Sequence, residues 1–390
     1  MNLGFYYHIE YFVNNNKIYI PKYLGLFIDS LSKNVDQMFL IGYASINKEE
    51  QDYCLTSSNI TFLSLGIKSH TINIIVNHKK LLNPHLLYFK KIDYLIVRSP
   101  SPLAPFFRNF MLEKKILYYA VGSYGDVANK LKIRSIRSIL IYLLMSYMDN
   151  QFLNVIKHKD ILVNSLKLYE SYKSICKKVS FIPTSTLTKN DFFKRENTCN
   201  NNKIRLLYTG RFDVLQKGLL DLLEAFYKLI IIHPKYELHL VGWDSSKDKF
   251  SERKMKKIVE NYKMHNNVFF HKKAKVGEEL NKFYRRSDIF VLSSYHEGFP
   301  RTIWEAMANS LPIITTPVGG IPYILKNKEN AVFVNVRKPD EIVDAIILLS
   351  ENKSLRKKII SNAYYIALKN SVDKRSKEII QYLKNRDKKN

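Results

Sequence analysis

Two acidic residues, Glu297 and Glu305, stand eight positions apart in the stretch EGFPRTIWEAMA, and an apolar run of strand length, residues 288–294, leads into it. Gly298 and Pro300 break that run before a segment of helix formers, so the unit reads as strand, tight turn, helix. Pro300 takes the first helical position, where its missing N–H costs nothing. The N–H groups of Gly298, Phe299 and Arg301 then face whatever lies over the turn, and the helix dipole favours an anion such as phosphate there. Glu305, inside the apolar sequence Ile303-Trp304-Glu305-Ala306-Met307, needs a partner, because an unpaired carboxylate is costly to bury. Sugar hydroxyls suit it, since an ionised carboxylate only accepts hydrogen bonds; a lysine at the helix edge is the plainer alternative.

A second loop, Gly210-Arg211-Phe212-Asp213, leaves a strand over 204–209 and ends at Lys217-Gly218, before a helix over 219–232. An arginine fork and a lysine point charge at the two ends of such a loop can clamp a diphosphate; an ordinary basic loop is the plainer alternative. A third strand end, TTPVGG at 315–320, carries Gly319 and Gly320, which allow close backbone approach. Trp243, after a strand over 237–241, either stacks on a base or simply packs.

These stretches resemble the E-x7-E signature and the G-R-x(n)-K-G donor loop of retaining glycosyltransferases of family 4. The resemblance is close over 204–363 and architectural before that. It implies the α/β fold called GT-B, two Rossmann-like parallel-sheet domains facing across a cleft. It also implies a nucleotide-sugar donor, such as a UDP- or GDP-sugar, with Glu297 on the donor sugar, Glu305 on the ribose, and Arg211 and Lys217 on the leaving diphosphate. Gly210, the turn Gly298-Phe299-Pro300-Arg301 and the turn at Gly319 and Gly320 would lie against the same donor. Catalysis then falls to Glu297, Arg211 and Lys217, with the anomeric configuration retained. Enzymes of the GT-A fold hold a metal with Asp-x-Asp; that motif is absent from this chain, so no metal and no other cofactor is expected. Family members often place a histidine in the turn after the strand read here at 116–121. In Gly122-Ser123-Tyr124-Gly125-Asp126 there is none, which leaves Tyr124 or Asp126 as acceptor-side candidates, or a glycine-rich turn with Asp126 as its N-cap.

The charge balance is 62 Lys+Arg against 35 Asp+Glu, a net +27 that attracts phosphorylated substrates, anionic lipid headgroups or nucleic acid. Because the basic residues are dispersed and no nucleic-acid motif is present, no nucleic-acid partner is expected. Cys54, Cys176 and Cys199 are too few and too far apart for a disulfide framework or a zinc site. The start, MNLGFYYHIEYF, lacks the pattern of a signal peptide, and no apolar run reaches the ~20 residues of a spanning helix. A cytoplasmic protein, peripheral on the inner face of the cytoplasmic membrane, is the expectation. In residues 130–148, Lys130, Lys132, Arg134 and Arg137 precede an apolar stretch; such a helix lies in an anionic membrane interface or is buried in the N-terminal domain.

The elements that must position these groups alternate as in parallel α/β sheets. Strands are expected over 4–9, 38–43, 60–65, 94–97, 116–121, 161–163 and 179–182 in the first half, and over 204–209, 237–241, 267–270 and 288–294 in the second. The Asn- and Lys-rich residues 191–203 read as a linker. This gives an acceptor-binding domain over 1–190 and a donor-binding domain over 191–370, with a C-terminal helix at about 371–390 packing back on the first. The expected function is transfer of a sugar from a nucleotide-sugar to a glycan or lipid-linked acceptor, in cell-surface polysaccharide synthesis of the lipopolysaccharide or capsule kind. A nucleotide-sugar epimerase or hydrolase on the same fold is the alternative, and a basic nucleic-acid-binding protein a more distant one.

Overall fold

The computed structural model describes residues 1–47, 51–129, 136–246 and 248–387. The chain divides into two compact units, Met1–Thr186 with the segment from Val372 onward, and Leu187–Ser371.

The first unit is built on a parallel sheet whose strands lie in the order Ile60–Ile67, Gln37–Ala44, Asn2–Asn14, Tyr94–Ser99, Ile116–Ala120, Asp160–Val163 and Lys178–Phe181. Runs such as Met38-Phe39-Leu40-Ile41 are apolar on both faces because both faces are covered. On one face Leu24, Phe27, Ile28 and Leu31 of the helix Lys22–Ser32 share a core with Ile379, Ile380 and Leu383 of the C-terminal helix Val372–Asp387. On the other, Tyr6, Val97 and Tyr118 meet Phe107, Met148 and Phe152. The first strand is longer than its apolar core suggests. Its far end turns through Asn15 and Asn16, both at positive φ, into an antiparallel pairing with Lys17–Ile20, which in turn pairs with Tyr53–Cys54. Asparagine tolerates that left-handed geometry, which suits a two-residue hairpin.

The helix Ile136–Ile156 is not buried along its whole length, as the core expectation required. Its second half is core, through Met148, Phe152, Val155 and Ile156, but Ile139, Leu140, Ile141, Leu143 and Tyr147 of its first half are exposed. By length and composition Ser138–Ile156 is apolar enough to cross a membrane, against the expectation that this stretch is too short, and 22% of it is buried. Lys130, Lys132 and Arg134 lie outside the described residues, as does the side chain of Arg137.

The second unit has a six-stranded, all-parallel sheet ordered Val268–His271, Tyr236–Trp243, Ile204–Arg211, Ile289–Leu292, Ile313–Thr315, Val332–Phe333. Residues 191–203 are not a free linker, and the boundary falls before Leu187. Phe193 N donates to Ala308 O at 2.9 Å, Arg195 donates to the carbonyls of Tyr284, Arg285 and Ser287, and Cys199 N donates to Asp288. A polar composition concealed a segment that caps carbonyl ends of its own unit.

Candidate functional site

In the second unit the strand order reverses at Ile204–Arg211. Tyr236–Trp243 and Val268–His271 are added on one side of it, and Ile289–Leu292 then on the other. Such a reversal opens a crevice beyond the carboxyl ends of the two diverging strands, where open α/β sheets hold their ligands. The loops leaving those two ends carry Arg211, Lys217 and Glu297. They are laced together: Tyr295 N donates to Gln216 O at 2.8 Å, and Gln216 Nε2 to His296 O at 3.1 Å. Gly218 has φ of 62°, and a Cβ there would stand 1.9 Å from the Ser293 carbonyl oxygen, so only glycine lets the loop pass this close to the neighbouring strand end.

Lys217 Nζ and Glu297 Oε1 meet at 2.6 Å, with side chains only 14% and 8% exposed. Ser294 Oγ donates to the same carboxylate oxygen at 2.8 Å. Sequence reasoning assigned these two residues separate partners, a phosphate and a sugar; the structure pairs them with each other. Arg211 is in a different state. Its side chain is 45% exposed and its nearest acid, Asp213, lies at 3.9 Å. Asp213 is itself engaged by the N–H groups of Leu215 and Gln216, so the guanidinium fork keeps capacity for an anion. Next to Arg211 in the ladder is Trp243, whose ring has Lys273 Nζ 4.6 Å from its centroid. The lysine holds one face of the indole by a cation–π contact, and Trp243 is still 39% exposed, so the ring is not buried by packing. Lys273 was not singled out from the sequence; nothing in HKKAKV distinguishes it from its neighbours.

The Glu297 loop is held from its other side by the turn after Ile313–Thr315. Gly319 has φ of 58°, and a Cβ on it would fall 1.7 Å from the Glu297 carbonyl oxygen; Gly320 N donates to Gly298 O at 2.6 Å. The close approach that these glycines permit is thus to the main chain of Glu297 and Gly298. Gly210 sits opposite Gly242 at the end of its strand. The helix Arg301–Ala308 starts one residue later than expected: Pro300 is its N-cap, with ψ of 131°, and has no N–H to offer. The fixed proline φ of about −65° fits the extended cap as well as the first helical turn, and here the extended form is taken. Among the described residues the N–H groups of Gly298 and Phe299 have no partner in the chain. The Phe299 ring packs on Trp304, with centroids 4.8 Å apart, so its main chain is the part available to a ligand.

Glu305 is 7% exposed, and its partner in the chain is a tyrosine, not a lysine: Tyr284 Oη donates to Oε2 at 2.8 Å and lies 2.6 Å from Thr209 Oγ1. Burial raises the Glu305 carboxyl above its ordinary pKa, with the Tyr284 hydrogen bond opposing the shift. Burial also pushes the Tyr284 phenol well up, and the Glu305 charge adds to it. Tyr284 was missed because it faces inward from the helix Glu278–Arg286, which the sequence shows only as a helix.

In the first unit Tyr124 is not an acceptor-side group. It is buried, its hydroxyl donates to Ser101 O at 2.6 Å and accepts from Ser101 N at 2.8 Å, and both capacities of the phenol are therefore taken up by main chain. Asp126 lies in the helix Tyr124–Asn129, and its side chain is outside the described part of the structure.

Residues 189–366 match the family model described as Glycosyl transferases group 1, nearly the whole second unit. Over 97% of its length the chain is 26% identical to Protein CapJ of Staphylococcus aureus, covering 92% of that protein. A trehalose synthase of Pyrococcus horikoshii is 30% identical, over 42% of this chain and 39% of its own. Among solved structures, HepE of Anabaena in complex with UDP superposes with a TM-score of 0.69 at 13% identity, covering 99% of this chain and 100% of its own. Sucrose-phosphate synthase of Thermosynechococcus elongatus gives 0.70 at 16% identity, covering 98% of each chain. The fold is therefore GT-B, α/β with two parallel-sheet domains, and the chain is a glycosyltransferase whose second unit carries the group 1 domain. Neither the epimerase or hydrolase alternative nor the nucleic-acid alternative finds support in these comparisons.

Proposed function

We propose that this glycosyltransferase moves a sugar, with retention and without a metal, from a UDP-sugar to a glycan or lipid-linked acceptor of a cell-surface polysaccharide. The observation that carries the reading is the gathering of Arg211, Lys217 and Glu297 at the strand reversal, beside the unpartnered N–H groups of Gly298 and Phe299. When the bond from the anomeric carbon to the diphosphate oxygen breaks, negative charge grows on that oxygen. Arg211, Lys217 and the two main-chain donors stabilise it without rearranging. The acceptor hydroxyl attacks the anomeric carbon from the face the diphosphate leaves, and the diphosphate oxygen takes its proton. Glu297, fixed by Lys217 and Ser294, accepts hydrogen bonds from hydroxyls of the donor sugar and orients it. Glu305 would receive the ribose. Two cations, Arg211 and Lys217, and no Asp-x-Asp motif in the chain favour protein-borne charge over a metal.

The uridine donor is supported by the likeness to HepE, which was solved with UDP and with UDP-glucose. The likeness to CapJ along nearly the whole chain favours a capsule-type product. A place on the inner face of the cytoplasmic membrane is supported by the exposed apolar start of the helix Ile136–Ile156 and by the net charge of +27. The test is a thermal-shift screen of UDP-, GDP- and ADP-sugars with and without EDTA, followed by NMR of the product's anomeric centre. At one hundred times its Kd a donor adds about 2.7 kcal/mol to stability. We expect that shift from UDP-sugars, unchanged by EDTA and lost in Arg211→Ala. No shift from any nucleotide-sugar would refute the donor site, and an inverted product would refute retention.

A further inference from the structure

The first unit has a reversal of its own. Its sheet grows from Asn2–Asn14 first through Gln37–Ala44 to Ile60–Ile67, and then on the other side through Tyr94–Ser99. Beyond the carboxyl ends at this point the first strand slips register against Gln37–Ala44 between Tyr6 and Glu10, which frees Tyr7, His8 and Ile9 from the ladder. The neighbouring strand ends in Arg98 and Ser99.

Arg98 is 7% exposed, yet among the described residues it has no carboxylate partner, and its Nε makes no hydrogen bond. Its guanidinium carbon lies 4.6 Å from the centroid of the Tyr7 ring. A cation–π contact returns little of what a buried, unneutralised guanidinium costs. Around it the structure adds positive charge and a fixed polar frame. Ser101 Oγ donates its one proton to Arg98 O at 2.7 Å, so at 2.8 Å from His8 Nδ1 it must accept, which places the imidazole proton on Nδ1 and the lone pair on Nε2. The main chain of Ser101 is locked by both bonds to Tyr124 Oη. Burial, then the charges of Lys68 and Arg98, push His8 down to about 4, so it is neutral at pH 7. Lys68 is exposed.

We propose that Arg98, with Lys68 and His8, forms a subsite at this strand reversal for an acidic group of the acceptor, a carboxylate or a phosphate carried next to a free hydroxyl. The planar fork of Arg98 matches either oxyanion, Lys68 adds long-range attraction, and His8 Nε2 accepts from the hydroxyl. Naming the ligand an acceptor rests on the transferase reading; the anion site does not.

The test is isothermal titration of the full-length protein with glucuronate and, separately, with inorganic phosphate, in wild type, Arg98→Gln, Lys68→Gln and Arg211→Ala. Tighter glucuronate points to an acidic sugar and tighter phosphate to a phosphorylated acceptor. For the preferred probe, Arg98→Gln is expected to weaken binding at least about tenfold, the loss of a charge-assisted bidentate contact. The exposed Lys68→Gln should weaken it about two- to threefold; Arg211→Ala should leave the glucuronate affinity unchanged and, with phosphate, remove only the separate binding event at the donor crevice. The inference is overturned if neither probe binds wild type below about 10 mM, if Arg98→Gln leaves the affinity intact, or if only Arg211→Ala abolishes it. Should Arg98→Gln not fold, an unchanged affinity in Lys68→Gln overturns it equally. A failed donor screen would refute the transferase reading and leave this titration's result standing.

Discussion

Replacing Lys217 with methionine keeps the length of the side chain and removes its charge, so Glu297, 8% exposed, loses the ammonium 2.6 Å away. Breaking a buried ion pair from one side costs about 3–5 kcal/mol, because the other charge is left unneutralised. Two features reduce this here: Lys217 is 14% exposed and so admits some water, and Ser294 Oγ stays on the same carboxylate oxygen. We therefore expect a loss of about 2–3 kcal/mol in unfolding free energy, measured by urea titration at pH 7. The double variant Lys217→Met, Glu297→Gln removes both charges and should return to within about 1 kcal/mol of wild type. Turnover should behave otherwise. Loss of one cation beside the departing diphosphate lowers kcat about 100- to 1000-fold, and the second substitution cannot restore it. If the double variant is as unstable as the single, the pair is not energetically coupled in the fold. If it recovers activity together with stability, Lys217 serves only to hold Glu297, and the phosphate role is wrong.

Gly319→Ala combines an αL position with a Cβ 1.7 Å from the Glu297 carbonyl. We expect at least about 1–2 kcal/mol of destabilisation from the backbone conformation alone, and a weaker donor shift because the Glu297 loop must move; an unchanged melting temperature would contradict the contact. Glu305 has a raised folded-state pKa, so its contribution to stability is complete below the unfolded glutamate value of about 4.3 and is lost as pH rises through the folded value. Glu305→Gln cannot ionise and should flatten that fall, which urea titrations between about pH 4 and pH 8 would reveal; identical pH profiles would sink the argument. Leu140→Glu with Leu143→Glu, both at exposed positions, should reduce sedimentation with phosphatidylglycerol vesicles and leave the donor shift intact, and equal sedimentation would dismiss this helix as the membrane contact.

Strand and helix positions were legible because each apolar run keeps one period: Ile289–Leu292 is buried on both faces, and the helix Leu219–Ile232 buries Leu219, Leu222, Leu223, Phe226 and Leu229 at helical spacing. That Arg211, Lys217 and Glu297 lie at or beyond the ends of two neighbouring strands was legible too, since strand ends are where the chain changes composition. What the sequence could not show is who meets whom. The pairing of Lys217 with Glu297 spans 80 residues, and that of Tyr284 with Glu305 depends on which side of a helix faces the sheet. The reading of 191–203 as a linker failed for a similar reason: Arg195 is polar in composition but its guanidinium closes three carbonyl ends, a role no local pattern announces. Tyr124 failed in the opposite sense, being placed beside a glycine turn that suggested access while its hydroxyl is sealed against Ser101.

The polar groups at the two strand reversals differ in how far the protein satisfies them by itself. Glu305 is partnered within the unit by Tyr284. Lys217 and Glu297 neutralise each other and still stand at the crevice. Arg211 has one loose acid at 3.9 Å, and Arg98 has none among the described residues. A charge that the fold leaves uncompensated adds nothing to the unliganded protein, and when buried it detracts. Stability without ligand should therefore be indifferent to Arg211→Ala and unchanged or improved in Arg98→Gln, while Tyr284→Phe, which strips a buried carboxylate of its donor, should cost about 1–3 kcal/mol. Ligand-dependent stabilisation should follow the reverse order, with Arg211→Ala removing the UDP-sugar shift and Tyr284→Phe leaving most of it. Urea titrations of the three variants with and without UDP-glucose check both orders at once. A large loss in unliganded Arg98→Gln would mean that this guanidinium is a structural cation whose partner is the Tyr7 ring, and the anion subsite would lose its physical reason.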